Sequence, residues 1–206
     1  MDGPPDNLAA MTDEQLAGGA QEGDMRCFEE IVRRYQAVLL RFISWQFPNV
    51  PDTEDVVQET FMKSYESIDR YQSRWPLRTW MFTLAYRVGV THARRAKTRT
   101  TEQLPEYQAS QTDTPAEIAG AQEPRRSLWD TARRVLNDDQ YRALWLFYAE
   151  DLPIADISEV LGMSLVAVRT MLHRGRKKLM PYAQRLMETS GESLDFRTSS
   201  SIGDTP

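Results

Sequence analysis

The chain has 206 residues, of which 41% are apolar, and a formal net charge of −5. That length suits one or two small domains with real cores. The single cysteine excludes a disulfide framework or a thiolate metal cluster, and no apolar run approaches the ~18 residues of a membrane span. No cleavable signal precedes the acidic N-terminus, so a cytoplasmic protein is expected. An acidic total suits a nucleic-acid partner poorly until the charge is localised. Residues 1–30 hold eight acids against Arg26 alone, and residues 100–124 hold five acids and no base. Residues 87–99 instead hold five Lys or Arg and no acid, and residues 160–187 hold six and none. Two concentrated basic patches are what phosphate binding requires.

In chain order, residues 1–12 are rich in Pro, Gly and Asp and are expected to be disordered or frayed. A short helix is expected from Asp13 to about Ala20, with Gly23 and Asp24 as the next start signal. Phe28, Ile31, Val32, Tyr35, Val38, Leu39 and Phe42 then follow at helical spacing, predicting an amphipathic helix to about Trp45. Cys27 in this run reads as a buried, inert thiol. Pro48 and Pro51 break the chain. Asp52 is placed to cap the next helix, and Glu54 and Asp55 in its first turn complement the helix dipole. Val56, Val57, Phe61, Met62, Tyr65 and Ile68 are its expected apolar face.

Residues 70–78, RYQSRWPLR, read as an aromatic and basic loop, with Pro76 suited to the first turn of a helix running to about Lys97. Through this segment Tyr71, Trp75, Trp80, Phe82 and Tyr86 alternate with Arg70, Arg74, Arg78 and Arg87. Such interleaving binds unstacked single strands: rings stack on bases while cations track phosphates. The plain alternative is that the rings are core. That is expected of Trp80 and Leu84, and less of Tyr71 and Trp75, which share a loop with arginines.

Residues 99–125 lack an apolar period and read as a linker. A second helical domain begins near Ser127. Residues 137–139 cap a helix bearing Ala143, Leu144, Leu146, Phe147 and Tyr148. Residues 153–179 then form two short helices around a tight turn. Ile154, Ile157, Val160 and Leu161 lie on the first; Gly162 ends it in a left-handed cap, and Ser164 caps the second. Leu165, Val168, Leu172, Gly175 and Leu179 fall on one side of the second helix. Val166, Arg169, Thr170, His173 and Lys177 fall on the other, with Arg174 and Lys178 on its flank. An apolar docking face opposite a basic, hydrogen-bonding face is the requirement of a helix-turn-helix. A helical hairpin with a basic solvated face is the alternative, but such a face usually mixes both signs of charge. The tail after Met187 is expected to be mobile, too short and polar for another domain. No segment shows convincing strand alternation, so the fold class is all-α: two small helical domains joined by a flexible acidic linker.

Two separate motif sets support a resemblance. TEDVVQETFMKSYESIDRY (53–71) with RTWMFTLAYRV and HARR (78–95), and LNDDQYRALWLFYAEDLPIADISEVLGMSLVAVRTMLHRGRKKL (136–179), resemble the extracytoplasmic-function, or group IV, sigma factors of bacterial RNA polymerase. The resemblance implies an acidic N-terminal segment over 1–24, sigma region 2 over 25–98, a linker over 99–125, sigma region 4 over 126–187 and a tail over 188–206. It implies a promoter-recognising subunit without catalytic activity or cofactor. Asp52, Glu54, Asp55, Gln58 and Glu59 would face the basic clamp helices of the largest polymerase subunit. Region 4 would meet the flap of the second-largest subunit. Tyr71, Arg74, Trp75, Arg78, Trp80, Arg87, Arg94 and Arg95 would recognise and melt the −10 element, capturing a flipped base and holding the freed strand. Val166, Arg169, Thr170, His173, Arg174 and Lys177 would read the −35 element, arginine suiting the paired acceptors of guanine. An anti-sigma factor is implied as a further partner. The acidic linker matches the segment that family members thread through polymerase, although a solvated linker explains its composition equally well. Arg87 and Thr91 stand where the family often has Asn and Asp, Leu77 where an aromatic is common, and Gly175 where alanine is usual.

A free-standing DNA-binding regulator would need a dimerisation element, and no heptad seam is present. An enzyme would need a nucleophile, metal site or phosphate loop that no motif assembles. An interaction scaffold would not require two basic patches.

Overall fold

Eight α-helices carry the fold, seen in a computed structural model that describes residues 8–47, 50, 52–102 and 123–190. No strand occurs among the described residues. These residues divide into two compact units. The first joins those before Ser110 to Trp145–Arg169; the second joins those of Gln111–Leu144 to those from Thr170 onward.

In the first unit, α1 (Asp13–Gln21) begins with a capping box in which Thr12 and Gln15 exchange side-chain-to-backbone hydrogen bonds, satisfying two amides that the helix leaves unpaired. Residues 8–12, part of the stretch expected to be disordered or frayed, have a defined conformation. A single 3-10 turn, Leu8–Ala10, is held by Arg34, whose guanidinium donates to the carbonyls of Leu8 and Ala9 and pairs with Asp13. Gly23, at φ +90, reverses the chain, and Asp24 caps α2 (Met25–Gln46). The helical apolar spacing of α2 buries Phe28, Ile31, Tyr35, Leu39, Phe42 and Ile43. Cys27 is fully buried, packed so closely on α1 that a Cβ at Gly19 would stand 2.5 Å from its Sγ.

Asp52 caps α3 (Thr53–Ser67) by accepting from the amides of Glu54 and Asp55. The buried side of α3 is narrower than the apolar letters imply. Val56, Val57, Thr60 and Ser64 face inward, whereas Met62 and Tyr65 are 63% and 49% exposed. The hydroxyls of Thr60 and Ser64 bond to the carbonyls of Val56 and Phe61, which lets polar residues enter the core at no unpaired cost. The helix α4 (Leu77–Glu102) crosses the bundle through Leu77, Met81, Phe82 and Ala85. Phe82 meets Phe42 edge-on at 4.9 Å. Each such large side chain removed from water contributes about 1.5–3 kcal/mol. Gly89 admits the Phe47 ring, since a Cβ there would lie 2.4 Å from Cε2.

The described parts of the expected linker are helical. α4 continues to Glu102, and α5 (Glu123–Val135) starts before Ser127. The remaining linker positions, Pro48, Pro51, residues 1–7 and the tail beyond Ser190 lie outside the described residues. Asn137 caps α6 (Asp138–Tyr148) in a second reciprocal pair with Gln140. Gly162, at φ 64 and ψ 34, ends α7 (Ile154–Leu161) in the left-handed conformation expected of it. Ser164 Oγ accepts from the amide of Ala167 and opens α8 (Leu165–Ser190), which continues through Pro181. Val168, Leu172 and Leu179 of α8 are buried as predicted, but Leu165 is largely exposed. In the second unit, Gly175 permits close packing with α6: a Cβ would lie 2.6 Å from Leu144 Cδ1. This explains a glycine where alanine would favour the helix.

Candidate nucleic-acid interface

The loop between α3 and α4 is built from both ends. After the 3-10 turn Ile68–Arg70, Gln21 of α1 donates from Nε2 to the carbonyls of Ile68 and Tyr71, at 2.8 and 2.9 Å. Tyr71 is buried, and its hydroxyl donates across the loop to the carbonyl of Trp75 at 2.9 Å. Its ring packs on Trp80 with centroids 5.3 Å apart. This differs from the sequence expectation, in which Tyr71 was the less core-like ring. The basic neighbourhood concealed an inward turn that four residues of loop impose. Trp80 and Leu84 are only half-buried.

The fixed loop leaves a cleft of about 260 Å³. Arg70, Arg74, Trp75, Trp80 and Arg87 line it, with Glu159 from α7 at its edge. Arg74 stacks over the Trp75 ring at 5.9 Å. Indole faces beside three guanidiniums can hold an unstacked base and its phosphates together. Arg78 is not in this cleft: it lies over Phe82 and pairs with Glu150 at 2.8 Å. Arg94 and Arg95 are exposed further along α4, the former about 10 Å beyond Arg87 at the helical rise.

On α8, Val166 is 70% exposed, and Arg169, His173, Arg174 and Lys177 are exposed with it. Thr170 is half-buried on the same side of the helix. The predicted recognition residues therefore share one accessible, cationic helix face.

On α3, Asp52, Glu54, Asp55 and Gln58 are exposed. Glu59 is engaged internally, 2.6 Å from His92 and 2.9 Å from Lys63. The His92 hydrogen bond, followed by Lys63, holds its carboxyl below the usual range. Met62 and Tyr65 extend the acidic side into an apolar one, with Tyr65 edge-on to Phe28 at 5.0 Å. Sequence reading placed both in the core because their spacing is helical, and periodicity cannot say which of two adjacent stripes is covered.

Two family models match the chain: Sigma-70 region 2 over residues 31–99 and Sigma-70, region 4 over residues 129–179. The chain belongs to the sigma-70 family. Relatives it is similar to are named as extracytoplasmic-function sigma factors. The ECF RNA polymerase sigma-E factor of Haemophilus influenzae is 28% identical over 191 residues, covering 86% of this chain and 98% of that protein. The ECF RNA polymerase sigma factor SigW of Bacillus subtilis is 26% identical over 180 residues, with 77% and 90% covered. Among solved structures, the sigma factor RpoE in complex with the anti-sigma factor NepR from Bartonella quintana shares the fold. Its TM-score is 0.65 at 20% identity, over 79% of this chain and 98% of that one. CnrH in complex with the cytosolic domain of CnrY gives 0.58 at 21% identity, over 84% and 97%.

This sigma factor therefore serves RNA polymerase in promoter recognition and transcription initiation. The cleft arginines and tryptophans fall within its region 2 match, and the exposed face of α8 falls within its region 4 match. Gln21 and Glu159 were missed. Gln21 precedes the region 2 match, and neither glutamine nor glutamate carries a sequence signal for the loop it touches. Among the described residues, no helix is long and apolar enough to cross a membrane.

Proposed function

We propose that this sigma factor divides promoter recognition between two helices and the loop preceding one of them. Region 4, residues 126–187, reads the −35 duplex through α8. Arg169 and Arg174 meet guanine acceptors, Thr170 meets a thymine methyl, and Val166, His173 and Lys177 complete the contact. Region 2, residues 25–98, takes a base flipped from the −10 element into the cleft beside Trp75 and Trp80. Arg74 and Arg87 steady its phosphates, and Arg94 and Arg95 continue the track. The observation that carries this reading is the coincidence of two half-buried indoles and three guanidiniums in one cleft.

Tyr71 supports that cleft from below, and Arg78 contributes to the basic surface when it is released from Glu150. The acidic side of α3, with Met62 and Tyr65 beside it, docks on the basic clamp helices of core polymerase, and region 4 meets the flap. Apolar residues ringed by acids suit a stable interface with a basic partner. The factor acts in the cytoplasm and has no catalytic activity of its own, since phosphodiester chemistry belongs to the polymerase. An anti-sigma factor that covers these faces is the expected inhibitor.

Run-off transcription with purified core polymerase, followed by sequencing of transcript ends, tests the whole reading. Defined start points that appear only with this protein are expected. Initiation indistinguishable from core polymerase alone would overturn it.

A further inference from the structure

The helix α1 lies before the residues matched by the region 2 model, yet it is tied at both ends to the body that carries the cleft. At its start, Asp13 pairs with Arg34 of α2 at 2.9 Å and accepts from the hydroxyl of Tyr35. In its middle, Leu16 and Ala17 are fully buried. At its end, Gln21 Nε2 donates to the carbonyls of Ile68 and Tyr71, at 2.8 and 2.9 Å. Those two bonds do not serve α1 itself. The amides of Glu22, Gly23 and Asp24 already close its last turn onto Gly18, Ala20 and Gly19. Gln21 is also exposed, so it adds nothing to the core. What it holds is the backbone of Tyr71, the residue that reaches both cleft indoles. The Tyr71 hydroxyl meets the Trp75 carbonyl at 2.9 Å, and its ring packs on Trp80 at 5.3 Å.

We propose that Gln21 is a positioning residue for strand binding. From α1 it fixes the Tyr71 backbone, and through Tyr71 it sets the spacing of the Trp75 and Trp80 indoles that receive a base. This rests on the strand-binding reading of the region 2 cleft and extends the working part of region 2 upstream to α1. A loop carbonyl left to water adopts many orientations. Two bonds from one carboxamide, carried on a helix anchored by Leu16 and Ala17, remove that freedom before a strand arrives. Both partners are carbonyl oxygens, so only a side chain that donates can do this. Bonds at an exposed position contribute little to the fold, so their loss alters the loop and spares the helices.

The test uses the full chain and an oligo(dT) single strand, with tryptophan emission as the readout. Bases stacked on the cleft indoles quench Trp75 and Trp80, while Trp45, Trp129 and Trp145 lie outside the cleft and give a constant background. The quenched fraction at saturating strand reports stacking geometry and does not depend on affinity. Gln21→Met keeps the length of the side chain and loses the donor. It is expected to bind the strand several-fold more weakly and to lose at least about half of the quenching at saturation. Gln21→Lys restores a donor on a stem of similar reach and should quench as the parent does. Helix content and thermal midpoint should match the parent in both variants.

Parental quenching by Gln21→Met would overturn the proposal. Equal losses in the two variants would also overturn it, because the effect would then belong to the shape of the side chain and not to its donated hydrogens. A thermal midpoint that falls in step with the quenching would make Gln21 a residue of the fold alone, with the same consequence. Absence of binding and quenching in the parent would remove the strand-binding reading itself, and this role with it.

Discussion

The hydroxyl of Tyr71 spans the loop between α3 and α4 to the carbonyl of Trp75, 2.9 Å away, while Gln21 holds the carbonyl of Tyr71 from the other side. The loop is therefore pinned before any strand arrives, and its ordering cost does not fall on binding. Tyr71→Phe keeps the ring on Trp80 and loses only the bridge, worth about 1 kcal/mol. Single-strand affinity should fall several-fold while −35 duplex binding stays unchanged, measured by fluorescence anisotropy on both probes.

Arg169 stands exposed on the outer face of α8. Arg169→Ala should cost about 1–3 kcal/mol on a cognate −35 duplex and relax discrimination at one base pair. Binding measured against a panel of single-base variants checks this. A uniform loss across the panel, with a shallower salt slope, would mark Arg169 as a phosphate contact instead.

Asp55 has no role in the core and lies in the first turn of α3. Asp55→Arg should sharply reduce co-purification with core polymerase, because it sets like charge against a basic partner. The thermal midpoint should fall only slightly, since losing an acid at a helix start costs about 0.3–1 kcal/mol.

Glu30 contributes to the acid limb of stability. Hydrogen bonds from Arg33, then Arg34, hold its carboxyl at about 2. A depressed carboxyl stabilises the fold above its unfolded value of about 4.3. That contribution is lost as pH falls toward about 2. Glu30→Gln should lower the urea midpoint at neutral pH and flatten its decline over that acid window. The Leu8–Ala10 turn should loosen first, because Arg34 ties it to Glu30.

Gly89→Ala tests the packing of α4. Added helix propensity contributes up to about 1 kcal/mol, against about 1–3 kcal/mol for forcing a methyl into the buried Phe47 ring. The ring stands only 2.4 Å from that Cβ. A net loss in thermal stability is expected, read by calorimetry.

The helices and their caps were legible from local chemistry. Asp24, Asp52, Asn137 and Ser164 accept amide protons at helix starts, and Gly162 takes the left-handed cap. These are contacts across two to four residues, which spacing specifies directly. The exposed cations of α8 were legible for the same reason: a helix whose apolar stripe is known has a known opposite face.

Burial between elements was not legible in this way. Met62 and Tyr65 have the letters of a core stripe and remain exposed, whereas Tyr71 sits among arginines and is buried. Arg78 belongs by sequence to a strand-binding series, yet its guanidinium meets Glu150, seventy-two positions later in the chain. The residues alone determined seven of the eight helical segments, two basic surfaces and the family to which they belong. Tertiary structure decided which aromatic faces solvent, which arginine lines the cleft and which acid covers its neighbour. Those choices depend on distances between segments far apart in the chain, and no periodicity within one segment encodes them.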